Sequence, residues 1–310
     1  MSPDEARSDV ILAAAAAVFG TFLVGLISGL PFYPRTGVLG AVVAIFWLFA
    51  LTGLVPLLLA KYRGDGIRAF GLDGPRENWQ RGLLLAIPVV ILGVLNEFVA
   101  TGGLGPSLLG RIGGATGGTP ALAPIGLPGP FAMSMGAVEL LVLVVGALLL
   151  TTFLTIRGRE GFRPTDLALT QALRTFGMGC AGVALVTGGL RSLGPDVRFT
   201  SVALQVTALV VLVLLADRLV PLGPTIPRGA VLAPMIVIAV AHVFTVGGGL
   251  LFGNPLIGLH NAALGAGSAV VIAVMVSARR MAWAAVPLVV ALHWWPSCLS
   301  PVAFERAAGC

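Results

Sequence analysis

The stretch LIGLHNAALGAGSAVVIAVMVSA, residues 256–278, carries no Asp, Glu, Lys or Arg. A helix of that length, at about 1.5 Å of rise per residue, covers the roughly 30 Å of a bilayer's hydrocarbon. Eight further apolar stretches accompany it, over residues 10–30, 37–60, 82–102, 131–156, 168–190, 202–220 and 229–251, with a shorter one over 281–297. Together they predict an all-α polytopic membrane protein with eight to nine transmembrane helices, its bilayer being the main partner.

Composition excludes the other broad classes. Of 310 residues 57% are apolar and 10% charged, against roughly 45–50% and 25% in an average soluble domain. The mean hydropathy of +1.00 rules out a water-soluble globule. The 42 Gly and 21 Pro follow no collagen period; they suit close helix packing and broken helix ends in lipid. A net charge of +6 is spread between apolar runs without forming a stripe, so nucleic acid is not an expected partner.

Basic residues orient the spans. Sorted by alternate loops, Arg7, Lys61, Arg63, Arg68, Arg76, Arg81, Arg157, Arg159, Arg163, Arg218, Arg228, Arg279 and Arg280 fall on one side, and Arg35, Arg111, Arg191, Arg198 and Arg306 on the other. This bias predicts a cytoplasmic N-terminus in a bacterial-type plasma membrane. The first span has a net acidic flank and no cleavage site, so it is expected to stay in the mature chain. Residues 61–81, with Arg68, Phe70, Leu72, Trp79 and Arg81, read as an interfacial segment on the cytoplasmic face. Residues 101–130, rich in Gly and Pro with Arg111 as their charge, read as an external linker or cap. Cys298 and Cys310 both fall outside and either pair or stay as free thiols.

Ionisable groups inside spans are expensive and therefore functional candidates. Glu97 lies near the outer end of its span, Glu139 roughly 12 Å in, and His242, His260 and His293 between the midplane and the outer side, by helical rise. Glu139, His242 and His260 are the candidate catalytic set. With Glu97 they are also candidate metal ligands, since carboxylate and imidazole bind Zn or non-haem Fe and titrate usefully. No spacing within one helix marks a ligand pair, and the alternative is that each side chain hydrogen-bonds a neighbouring helix. His293, beside Trp294 and Trp295, also fits an interfacial aromatic belt. No cofactor other than such a metal is expected. Gly25 and Gly29, Ala184 and Gly188, and the stripe Gly258, Ala262, Ala266 offer close-packing faces. GxSxG, Walker and HExxH motifs are absent from the sequence, which excludes an ATP-driven motor within this chain.

Two pieces of sequence carry a family likeness. Phe70-Gly71-Leu72 precedes an apolar span, and Thr152-Phe153-Leu154-Thr155-Ile156-Arg157-Gly158 follows in the fourth. The second resembles the Glu-Glu-x-x-x-Arg-Gly motif of the CPBP family of intramembrane proteases, which includes CAAX prenyl endopeptidases and bacteriocin-processing proteins. Arg157 and Gly158 match. Thr152 and Phe153 stand where the family has its glutamates; Gly188 stands at the histidine of its Phe-x-x-x-His element. His242 is similar to the histidine of its final His-x-x-x-Asn, whose Asn position is Val246. The resemblance implies a single membrane-embedded domain over 1–310: peripheral spans in 1–60, the interfacial segment 61–81, a CPBP-like core in 82–250 and additional spans in 251–310.

In that family the glutamate is taken to activate a water, chemistry that Thr152 and Phe153 cannot perform. The resemblance therefore implies a member without proteolytic activity, with Arg157 and Gly158 structural, that binds other membrane proteins or a lipid-modified peptide. Two alternatives stay open. One is an intramembrane hydrolase using Glu139 with His242 and His260; the other is a transporter subunit with a helix broken by the glycines of 247–255.

Overall fold

A computed structural model describes residues 1–20, 22, 42–43, 46–47, 49–73, 78–101, 129–162, 165–194, 199–220, 224–245, 255–278 and 282–294. The linker over 102–128, the glycines 247–249, Gly253, the Gly25/Gly29 pair, Cys298 and Cys310 lie outside these residues, as do the side chains of Glu97, Glu139 and His293.

The described chain is mostly helical. Helix α1 (Pro3–Ala15) runs into a π-helical turn, Ala16–Gly20. A second π turn, Ala50–Leu54, leads into α2 (Val55–Tyr62), and a short 3-10 turn spans Gly66–Phe70. There follow α3 (Trp79–Thr101), α4 (Gly129–Gly161), α5 (Leu169–Arg191), α6 (Phe199–Leu219), α7 (Arg228–Thr245), α8 (Pro255–Ser277) and α9 (Ala282–Trp294). Ser2 caps α1 by accepting from the Glu5 backbone N–H at 3.3 Å, while the Glu5 carboxylate accepts from the Ser2 N–H at 2.8 Å. This reciprocal pair satisfies two donors that a helix start leaves open.

Among the described residues, four helices are long and apolar enough to cross a bilayer: α3 over Trp79–Asn96, α5, α6 and α8. They place the chain among all-α membrane proteins. The expected count of eight to nine is not supported. Among the described residues, Ala50–Tyr62, Arg228–Val243 and Trp283–Leu292 are apolar but shorter. The expected spans 10–30, 37–60, 229–251 and 281–297 extend in part beyond the described residues.

Helix α8 is the centre. Its spanning window is 94% buried inside the protein, against 33–44% for α3, α5 and α6. Small residues over its first half let neighbours approach from several sides. A Cβ added at Gly265 would come within 2.9 Å of the His242 ring on α7, and one at Gly267 within 2.7 Å of Leu209 on α6 and 3.1 Å of Cys180 on α5. Around this centre α4 packs on α7 and α1, and α3 packs on α6 and α9.

Two three-residue strands, unforeseen in the sequence, pair antiparallel: Asp166–Ala168 (β1) with Thr225–Pro227 (β2), Leu167 opposite Ile226. Both of those residues are buried. Each strand feeds a helix directly, β1 into α5 and β2 into α7. The ladder therefore sets two helix starts at one level.

Candidate functional site: a buried arginine cluster and a central histidine

The pair Arg157-Gly158 occupies the last turns of α4, among its most constrained positions. Arg157 is 2% exposed, the largest fully buried side chain among the described residues. Its Nε lies 3.3 Å from Oδ2 of Asp9 on α1, its Nη1 donates to Glu160 at 3.0 Å, and its Nη2 donates to Asp65 in the turn after α2. The guanidinium also stands 5.2 Å from the centroid of the Phe153 ring, which packs in turn on Phe70. Asp9, wholly buried, accepts from Arg63 at 3.1 and 3.2 Å, and Arg63 donates to Glu5 at 3.0 Å.

A charge this deep is tolerable only when neutralised by several partners, since desolvating an ion costs several kcal/mol. Here the planar fork of arginine meets three carboxylates from three chain segments, which a lysine point charge cannot do. Bonds from the Ser2 backbone and side chain hold the Glu5 carboxyl below its ordinary range, and the Asp9 hydrogen bond raises the Arg63 guanidinium above its own. Arg7 extends the cluster, donating to the Gly161 carbonyl at 2.7 Å and resting over Phe162.

Gly158 serves the same junction. A Cβ there would overlap the Gly229 carbonyl and come within 3.0 Å of Ala233, so α4 and α7 cross backbone to backbone. The Thr152 and Phe153 positions are filled by packing. Thr152 donates to the Leu148 carbonyl of its own helix at 2.6 Å, and Phe153 is fully buried beneath Arg157. In the segment 61–81, Phe70 is 2% exposed and Trp79–Arg81 begins α3.

The second polar centre surrounds α8. The buried His260 ring lies with Nδ1 2.8 Å from the Ala184 carbonyl on α5 and Nε2 2.9 Å from the Gln205 amide on α6. The atom of that amide facing Nε2 is Oε1; with Nδ1–H donating to the Ala184 carbonyl, Nε2 of a neutral ring can only accept, and the Gln205 amide would have to turn to present its NH2. Gly188 makes the room, for a Cβ there would approach the imidazole to 2.7 Å. His242 bonds through Nδ1 to the Ile238 carbonyl one turn earlier, at 2.9 Å, and meets α8 at Gly265. That contact is roughly 7.5 Å further along α8 than His260.

Among the described residues, no three His, Cys, Asp or Glu side chains converge as metal ligands do. Asn261, 1% exposed, has no hydrogen-bond partner for either amide atom among the described residues. Sequence reasoning missed Asp9, Asp65, Gln205 and Asn261. Asn261 carried a signal, being a carboxamide in an apolar run; the other three depend on contacts distant in sequence.

The histidine arrangement makes a prediction. His260→Leu is expected to destabilise the protein by about 1–3 kcal/mol, because the ring links α5, α6 and α8 and an apolar replacement forfeits both hydrogen bonds. Chemical unfolding of purified protein in detergent measures it. An unchanged midpoint would show that the three helices do not depend on this bond.

No family model, curated protein or solved structure matches this chain.

Proposed function

We propose that this chain is a CPBP-like membrane protein that acts by binding, as a scaffold or partner of other membrane components, and does not cleave peptides. One observation carries the reading: at the positions of the family's general base, Thr152 is bonded back to its own helix and Phe153 is buried under Arg157. Neither can take a proton from water. The Arg157–Gly158 element is instead the structural junction of α1, α4, α7 and the turn after α2. The same reading places the Arg157 end at the cytoplasmic face of a bacterial-type plasma membrane, from the positive-inside bias.

Reconstitution in liposomes with a farnesylated CAAX-type peptide tests it. The peptide is expected to stay intact, and the chain solubilised gently from native membranes is expected to run with at least one further membrane protein by size and mass. Cleavage of the peptide that is lost in Glu139→Gln would overturn the reading in favour of a hydrolase using Glu139 with His242 and His260.

A further inference from the structure

Two parts of the chain are alike in sequence. Pro164-Thr165 stands at β1 and Pro224-Thr225 at β2, and Val186-Thr187-Gly188-Gly189-Leu190 has its counterpart in Val246-Gly247-Gly248-Gly249-Leu250, each pair sixty positions apart. The ladder itself is symmetric: the Leu169 N–H donates to the Pro224 carbonyl at 3.4 Å and the Arg228 N–H to the Thr165 carbonyl at 3.1 Å, the same bond made from either strand about the central pair Leu167 and Ile226. Helices α4 and α6 each lead to a strand, and α5 and α7 each leave one. Packing repeats the relation, for α4 lies on α7 and α6 on α5, while α8 packs on all four. The units α4–β1–α5 and α6–β2–α7 are therefore related as parallel repeats in membrane proteins are, by a pseudo-two-fold axis along the bilayer normal. Helix α8 runs along that axis, between the units, which is why it alone is enclosed.

The two ends of this interface differ. At the ladder the units are joined by backbone bonds and by the buried residues Leu167 and Ile226. Roughly 24 Å away by helical rise, the interface is polar: His260 meets Ala184 of the first unit and Gln205 of the second. Asn261 follows, 1% exposed and with no partner for either amide atom among the described residues. It lies on the face of α8 that meets His242 one turn later, at Gly265. A buried amide without a partner is costlier than a hydrated one, so the closed arrangement is disfavoured at this end and not at the ladder. We propose that the two repeats rock about the β1–β2 ladder as a hinge, opening their interface at the far end so that water reaches Asn261.

A water-soluble maleimide reacts with a buried thiol only when water reaches it, and this supplies the experiment, carried out on the full chain in nanodiscs with Cys180→Ala, Cys298→Ser and Cys310→Ser. Ala262→Cys, beside Asn261, is expected to label, and Ala273→Cys, about three turns nearer the ladder on the same buried helix, to stay unlabelled over the same period. Asn261→Leu leaves no amide to hydrate and should slow the labelling of Ala262→Cys about tenfold. A disulfide formed between Ala168→Cys and Thr225→Cys, opposite each other and exposed in the ladder, should leave the rate unchanged, because the hinge stays closed in both states. Labelling at Ala262→Cys no faster than at Ala273→Cys overturns the proposal, as does a rate that Asn261→Leu does not alter. Loss of labelling on linking the ladder overturns it too, since the strands would then have to part. Should Ala262→Cys fail to fold, Ile257→Cys, one turn before Asn261 on the same face, is read in its place.

Discussion

Arg157→Ala is expected to lower the stability of the protein by about 3–5 kcal/mol, the cost of removing one partner from a buried ion cluster. The loss exceeds that of a simple truncation because Asp9, also buried, keeps Arg63 alone as its cation among the described residues, while Asp65 and Glu160 lose the guanidinium they share. Arg157→Lys should fall between, since it retains the charge but not the fork that reaches α1, α4 and the turn after α2 together. Arg174→Ala is the contrast: its partner is Asp217, but the arginine is 70% exposed, and such pairs contribute about 0–1 kcal/mol. Unfolding midpoints in detergent, with the yield of monodisperse protein, separate the three. Wild-type stability in both Arg157 variants would show that the cluster does not hold the helices together.

Gly158→Ala should cost about 1–3 kcal/mol, although it adds a single methyl group and alanine is the better helix former. The added carbon would overlap the Gly229 carbonyl, which belongs to a backbone and cannot rotate away, so α4 and α7 must separate. Gly182→Ala supplies the control within the same protein. Nothing lies within 4 Å of a Cβ there, and the change should be neutral or stabilise by about 0.5–1 kcal/mol through helix propensity alone. Thermal unfolding of the two variants side by side measures the difference. Equal shifts would mean that the α4–α7 crossing tolerates a side chain.

Both residues stand out in the linear chain through a resemblance to half of a family motif, yet that resemblance does not say what they hold. Asp65 lies 92 positions before Arg157, and Asp9 looks in sequence like an ordinary charge on the flank of the first span. The histidines were legible as polar groups too costly for lipid, and the choice between reactive centre and helix-to-helix bond lay beyond the sequence. For His260 the structure supplies two bonds to neighbouring helices and a glycine that makes room for its ring.

Apolar composition and helix length, which are local quantities, were enough to determine an all-α chain with the bilayer as its solvent, because transfer of side chains from water to hydrocarbon sums residue by residue. The number of crossing helices was not determined in that way: of nine apolar stretches, four are helices long and apolar enough to cross among the described residues. Only the tertiary structure decided that α8 is the enclosed centre and that Arg157 is neutralised by carboxylates from three segments. Burial and ion pairing depend on which helices are neighbours. That arrangement follows from close approaches such as Gly158 on Gly229 and Gly265 on His242, contacts between residues far apart in the chain.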